Sequence, residues 1–145
     1  MYYRLNENGS VLDWCDIKYL DDCLFTEKDI IVAWNGAFYI SGDEPEEPVE
    51  LKHARVKKQL TSLIQRILDK KAREYDYDSC LSACSYQDTG VPEFDAEGRA
   101  FRAWRSQVWK IGYEILNDVV AGKREMPSID ELSNELPQLM IEKVE

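Results

Sequence analysis

The apolar positions of this chain change period once. Up to about residue 40 they stand in short runs broken by turn residues, and from about residue 50 they recur at spacings of three and four, the respective marks of strands and of amphipathic helices. In the first region Asp29 to Ser41 reads DIIVAWNGAFYIS, with Asn35 and Gly36 between two apolar runs. Asn-Gly there predicts a type I′ hairpin, whose two central residues must both accept positive φ. The start, MYYRLNENGSVLDW, has the same layout, with residues 6–9 as the turn between strands Tyr2–Leu5 and Val11–Trp14. Two hairpins bury too little surface to be stable alone. This module is therefore expected to lean on the helices or on a partner, through Trp34, Phe38 and Tyr39.

The stretch SGDEPEEPVE, Ser41 to Glu50, carries two prolines and five carboxylates, a composition that resists sheet and helix alike. It sets the expected organisation: a small β-rich module over 1–42, an acidic Pro-containing linker over 43–50 and a helical domain over 51–145. The helical domain opens with VELKHARVKKQLTSLIQRILDKKAREY, in which Val56, Leu60, Leu63, Ile64, Ile67 and Leu68 make one stripe while most of the cations lie on the other faces. A shorter helix follows from about Asp78 to Tyr86, with Leu81, Cys84 and Cys80 as its inward residues, and DTGVP breaks it. The next helix runs from about Phe94 to Ala121, where Gly122 is the positive-φ stop. In the last, Ser128 and Glu131 stand at capping-box spacing and Pro137 closes the helix. The fold class is α+β: an N-terminal β-hairpin module followed by a mainly helical bundle of three to four helices.

Within the longest predicted helix, FRAWRSQVWKIGYEIL holds two of the four tryptophans. Phe101, Trp104, Val108, Ile111, Ile115 and Val119 form one stripe, and Trp109, Tyr113, Leu116 and Val120 a second about 100 to 140° around the axis. The first stripe is core. The second either packs against another helix of the same bundle or presents Trp109 and Tyr113 as anchors for a partner.

Charge divides the chain into three blocks. Residues 1–50 hold twelve Asp and Glu against three Lys and Arg, residues 51–75 two against eight, and residues 76–145 fourteen against seven, for balances of −9, +6 and −7 and a net −10. Such an acidic surface repels nucleic acid, and the cations of residues 52–73 read as a solvated helix face beside acidic segments. No apolar run approaches the ~20 residues of a membrane span and no basic-then-apolar leader opens the chain, so a soluble protein not exported by a signal peptide is expected.

Candidate chemistry is sparse. Cys15, Cys23, Cys80 and Cys84 include no CxxC pair, and His53 is the one histidine, so neither a zinc site nor a disulfide framework is expected, and Cys80 and Cys84 read as small buried hydrophobes. No phosphate loop, GxGxxG, HExxH or GxSxG occurs. The carboxylate pairs Asp21 with Asp22 and Asp76 with Asp78 are of a kind common on acidic surfaces. The expectation is a non-enzymatic binding protein without metal or cofactor.

YDSCLSACSY, FDAEGRAFRAWRSQVW and the run ILNDVVAGKREMPSIDELSNELP resemble the helical C-terminal part of small bacteriophage proteins encoded beside tail-fibre genes and described as tail-fibre assembly chaperones or tail accessory proteins. The first half is similar to them in layout. Its most specific elements are Ala103 to Arg105 with Trp109 following, and the tail from Gly122 to Pro137. The resemblance implies a partner, the tail fibre or its receptor-binding tip protein, which this chain would help to fold, trimerise or attach. It also implies residence in the cytoplasm of the bacterial host, or on the virion tail if the protein is a retained structural part. A reading of another class is an acidic regulator or inhibitor of a nucleic-acid-binding protein. No nucleic acid or membrane is expected among the partners, and a homo-oligomer stays open.

Overall fold

The computed structural model describes residues 1–16 and 23–142, so that Asp21 and Asp22 lie outside the described residues. Among the described residues five antiparallel strands precede four helices, an α+β chain whose C-terminal region is mainly helical. The chain divides into two compact units, Met1–Val49 and Glu50–Glu145.

In the first unit the strands are β1 (Tyr2–Leu5), β2 (Val11–Cys15), β3 (Leu24–Phe25), β4 (Ile30–Val32) and β5 (Phe38–Ile40), arranged in the order β3-β1-β2-β5-β4. The two hairpins share one turn design. Gly9 N–H donates to Asn6 O and Asn6 N–H to Ser10 O; Gly36 N–H donates to Ala33 O and Ala33 N–H to Ala37 O. The type I′ expectation for Asn35–Gly36 is thereby corrected to a three-residue loop in which the glycine has positive φ (77°) and the asparagine does not. The cause is local: Asn35 Oδ1 accepts the N–H of Ala37, as Asn8 Oδ1 accepts that of Ser10. The asparagine side chain spans the glycine, leaving glycine alone in the left-handed region. Strand β3 has no counterpart in the predicted elements; two residues are too few to show a period.

The helical unit is built from α1 (Val49–Arg73), α2 (Cys80–Cys84), α3 (Pro92–Val120) and α4 (Ile129–Glu135). Helix α1 buries Leu60, Ile64, Leu68 and Ala72, a row at spacings of four. Helix α3 buries Gly98, Phe101, Trp104, Val108, Gly112, Ile115 and Leu116, and Leu132 and Leu136 close the same core from the last helix and its end. Phe101 sits at the centre of a ring of edge contacts: its centroid is 5.5 Å from Tyr75, 5.9 Å from Tyr77 and 6.0 Å from Trp104, the T-shaped geometry that aromatic quadrupoles favour.

The phase of α2 differs from the expected one. Leu81 is 65% exposed and Cys84 only partly covered, while Cys80 and Ala83 are buried. With five residues this helix has no stripe of its own to impose. Its rotation is set at its start, where Asp69 Oδ1 on α1 accepts the Cys80 N–H (2.9 Å) and Ser79 Oγ accepts that of Ser82 (3.1 Å). At the other end of α3, Lys123 N–H donates to Asp118 O and Gly122 N–H to Val119 O, with Gly122 at φ 72°. This Schellman closure stops the helix. Ser128 and Glu131 form the capping box of α4, and Arg124 grips Glu135 with two hydrogen bonds of 2.7 Å, which holds the Glu135 carboxyl below its usual range.

Two glycines of α3 stand where a neighbour passes too close for a side chain. A Cβ on Gly98 would lie 2.4 Å from the backbone nitrogen of Gln87, and one on Gly112 would lie 2.4 Å from Cδ1 of Ile64. Alanine in a helix is favoured over glycine by about 1 kcal/mol, against an overpacking cost of about 1–3 kcal/mol. Gly112→Ala meets the mobile end of a side chain, and its two effects should cancel to within about 1 kcal/mol. Gly98→Ala meets backbone that cannot swing away and should destabilise by about 2 kcal/mol or more, read from urea unfolding of the two variants. Equal stability of the two would contradict the packing described.

Burial pushes the Cys80 thiol up to about 12, reinforced by Cys84. Partial burial, then the hydrogen bond that its hydroxyl donates to Glu97, raises the Tyr77 phenol. Both groups hold their protons more tightly folded than unfolded, so their contribution is complete below the unfolded thiol value near 9 and is lost as pH rises toward 12. The urea midpoint should fall across that window, and less steeply in Cys80→Ser.

Candidate interaction surfaces

Cross-strand partners share a face of a sheet, and the register places one apolar row across the first unit. Leu24 is opposite Tyr3, and Tyr3 opposite Trp14; Val11 is opposite Phe38, and Phe38 opposite Val32. The ring pair Trp14–Phe38, with centroids 4.8 Å apart, joins the two sets into a face that spans all five strands. Within the row Val11 is buried, but Leu24 is 48%, Trp14 42%, Phe38 38% and Val32 61% exposed. A bulge where β1 and β2 shift register leaves Leu12 without a cross-strand partner and exposed as well. The other face carries the Tyr2–Phe25 ring pair (5.2 Å) and the Arg4–Asp13 ion pair.

Strand β4 is one edge of the sheet. Ser41 N–H donates to Asp29 O, and Ala33 N–H to Ala37 O, so the groups of residues 29, 31 and 33 turn toward β5. By the alternation of an antiparallel ladder, the N–H and C=O groups of Ile30 and Val32 point outward from the edge. The unit thus offers an apolar face and a backbone edge that meet at Val32.

The five anchors expected from the sequence are divided between the two units, three in the first and two in the second. Trp34, on the hairpin loop, is 44% exposed, and its indole N–H donates to Pro45 O (3.0 Å), tying the acidic segment to the turn. Phe38 belongs to the exposed row. Tyr39 is corrected: it points to the opposite side from Phe38, is 5% exposed and accepts a hydrogen bond from Asn35 Nδ2 (3.2 Å), so it packs inside the unit. Trp109 and Tyr113 lie in the helical unit, with rings 5.8 Å apart; Tyr113 is half exposed, whereas Trp109 is partly buried against the core. Their stripe is divided rather than free, because Leu116 is buried and Val120 partly buried. In the first stripe, Ile111 is only partly buried, and the fully buried neighbour is Gly112.

Sequence reasoning missed Trp14, Val32, Leu24 and Leu12. The alternation in VLDWC was visible, but which face of so short a strand stays open depends on register and on the bulge.

Among the described residues no group of three or more His, Cys, Asp or Glu stands together as a metal site, and no helix is long and apolar enough to cross a membrane. Cys80, kept protonated by burial, is no nucleophile at neutral pH. No family model, curated protein or solved structure matches the chain.

Two indoles on α3 differ in one respect. Trp104 Nε1–H donates to Pro137 O (2.6 Å), while the buried Nε1–H of Trp109 has no partner among the described residues. A buried donor left unpaired costs about 1–3 kcal/mol, and a made bond contributes about 1 kcal/mol. Trp109→Phe, which removes the orphan, should therefore cost clearly less stability than Trp104→Phe, which strands the Pro137 carbonyl. Urea unfolding of both variants compares them, and an equal loss would contradict this assignment of the hydrogen bonds.

Proposed function

We propose that the protein is a non-enzymatic assembly chaperone for a phage tail fibre, binding the fibre or its receptor-binding tip protein and aiding its folding, trimerisation or attachment. The observation that carries this reading is the exposed apolar row of the sheet, Leu24, Trp14, Phe38 and Val32. Contiguous exposed apolar surface, rich in aromatic residues, is the kind of surface that proteins use to hold other proteins. The sequence resemblance supplies the nature of the partner. Fibre proteins are β-rich, and before they trimerise they expose unpaired strands and apolar side chains; an apolar face with an open edge beside it is suited to cover both.

Charge supports a reversible cover. With a net charge of −10, the complex is kept in solution while its apolar surfaces are occupied. The fibre would leave this cover when its own subunits bury the same strands, since trimer contacts compete for them.

Co-expression with the neighbouring fibre gene is the test. The expected result is more soluble trimer and a co-purifying complex, and a double variant Trp14→Ser, Val32→Lys should lower the amount of complex roughly tenfold, as loss of a central anchor does. Unchanged trimer yield with no co-purification would overturn the proposal. Mass spectrometry of purified virions separates an assembly factor, absent or far below the fibre in amount, from a structural part retained on the tail.

A further inference from the structure

A concavity lies within the helical unit, between the last third of α1 and the segment from α4 to Gln138. Its volume is about 250 Å³, and its lining includes the apolar groups of Ile67, Trp104, Leu136 and Pro137. Arg66 and Lys70 stand at its rim on successive turns of α1, near enough for one anion to meet both. Neither is paired with an acid among the described residues. The remaining charged groups at the groove are Lys71 and Glu74, bound to each other at 2.5 Å, and Asp130 on α4. Two free cations against one acid leave a positive site on a chain of net charge −10.

We infer that this groove is a binding site for an acidic, apolar peptide segment of a partner, with one aliphatic side chain against Trp104 and Ile67 and a carboxylate between Arg66 and Lys70. Size and charge choose this ligand. Pockets for whole cofactors and drug-sized molecules run from about 300 to 1,000 Å³, so this one holds a side chain or two of a longer chain. Its floor is apolar, which a bare anion does not use. Its rim is positive, which selects carboxylate over ammonium. Arg66 and Lys70, four residues apart, repel each other in the free protein, and a carboxylate between them relieves that repulsion while making charge-assisted hydrogen bonds. Trp104 is already fixed by its bond to Pro137, so the apolar wall is formed before the ligand arrives. The site is independent of the sheet face proposed to hold the fibre.

The test uses the full-length ¹⁵N-labelled protein and two capped pentapeptides, acetyl-Glu-Leu-Asp-Leu-Glu-amide and its neutral counterpart acetyl-Gln-Leu-Asn-Leu-Gln-amide, with inorganic phosphate as a third probe. The acidic peptide should shift the amides of Arg66, Ile67, Lys70, Ser133 and Gln138 and the indole N–H of Trp104 in a saturable way. It should bind roughly tenfold more tightly than the neutral peptide. Arg66 and Lys70 are exposed, so the double variant R66Q/K70Q should keep its fold and its spectrum while reducing the acidic peptide to the affinity of the neutral one. Three results would each overturn the inference: no saturable shift at millimolar peptide, unchanged affinity in the double variant, or equal binding by phosphate alone.

Discussion

The helical unit depends on the closeness with which α3 lets other chain segments approach it. Gly98 and Gly112 lie fourteen residues apart on one face, with Phe101, Val108 and Ile115 interleaved on the same side. At one glycine the backbone after α2 crosses, and at the other Ile64 of α1 inserts. At Gly98 the crossing backbone leaves no room for a side chain, whereas at Gly112 the flexible end of Ile64 would have to shift to admit one. Large side chains stand beside the small ones, so that small and large alternate along the seam. The chain accepts the helix-weakening effect of glycine in α3 because close approach brings Phe101 into contact with Tyr75 and Tyr77 and places Trp104 beside Pro137.

The sheet unit lives under a different constraint. Its strands have two to five residues, and the apolar row that crosses them stays open to solvent at four positions. Such a face is normally covered by a helix or a second sheet. Leaving it open weakens the unit and makes it sticky. The acidic excess of the first fifty positions, twelve Asp and Glu against three Lys and Arg, opposes indiscriminate association through like-charge repulsion between copies.

Much of this was legible in the sequence, and what was not has identifiable causes. The long helices follow from spacings of three and four sustained over many turns, and their ends from Gly122 and from Ser128 with Glu131, which act through backbone groups close at hand. Helix α2 was placed but rotated wrongly, because Asp69, eleven residues earlier, decides its phase. The burial of Tyr39 against the exposure of Phe38 is a matter of one residue of register, and the sequence shows both as aromatic neighbours. Trp109 and Tyr113 were grouped by angle alone; angle cannot tell that Leu116 on the same stripe is covered by other residues. The groove between α1 and α4 was invisible for a similar reason. Its cations read as an ordinary wet helix face until the end of the chain folds back beside them.

The paired turns have a consequence for how this molecule ages. Asn-Gly is the dipeptide most prone to spontaneous deamidation, because the glycine nitrogen can swing onto the asparagine side-chain carbonyl and expel ammonia. At Asn8–Gly9 and Asn35–Gly36 the attacking nitrogen is held by the opposite strand end, and the side-chain oxygen is held by the residue beyond the glycine. The hydrogen bonds that shape the hairpins thus also withhold both reactants from each other. Chemical lifetime in this unit is therefore coupled to folding: a chain whose sheet has opened begins to convert asparagine to aspartate and isoaspartate at the two points where its strands must turn.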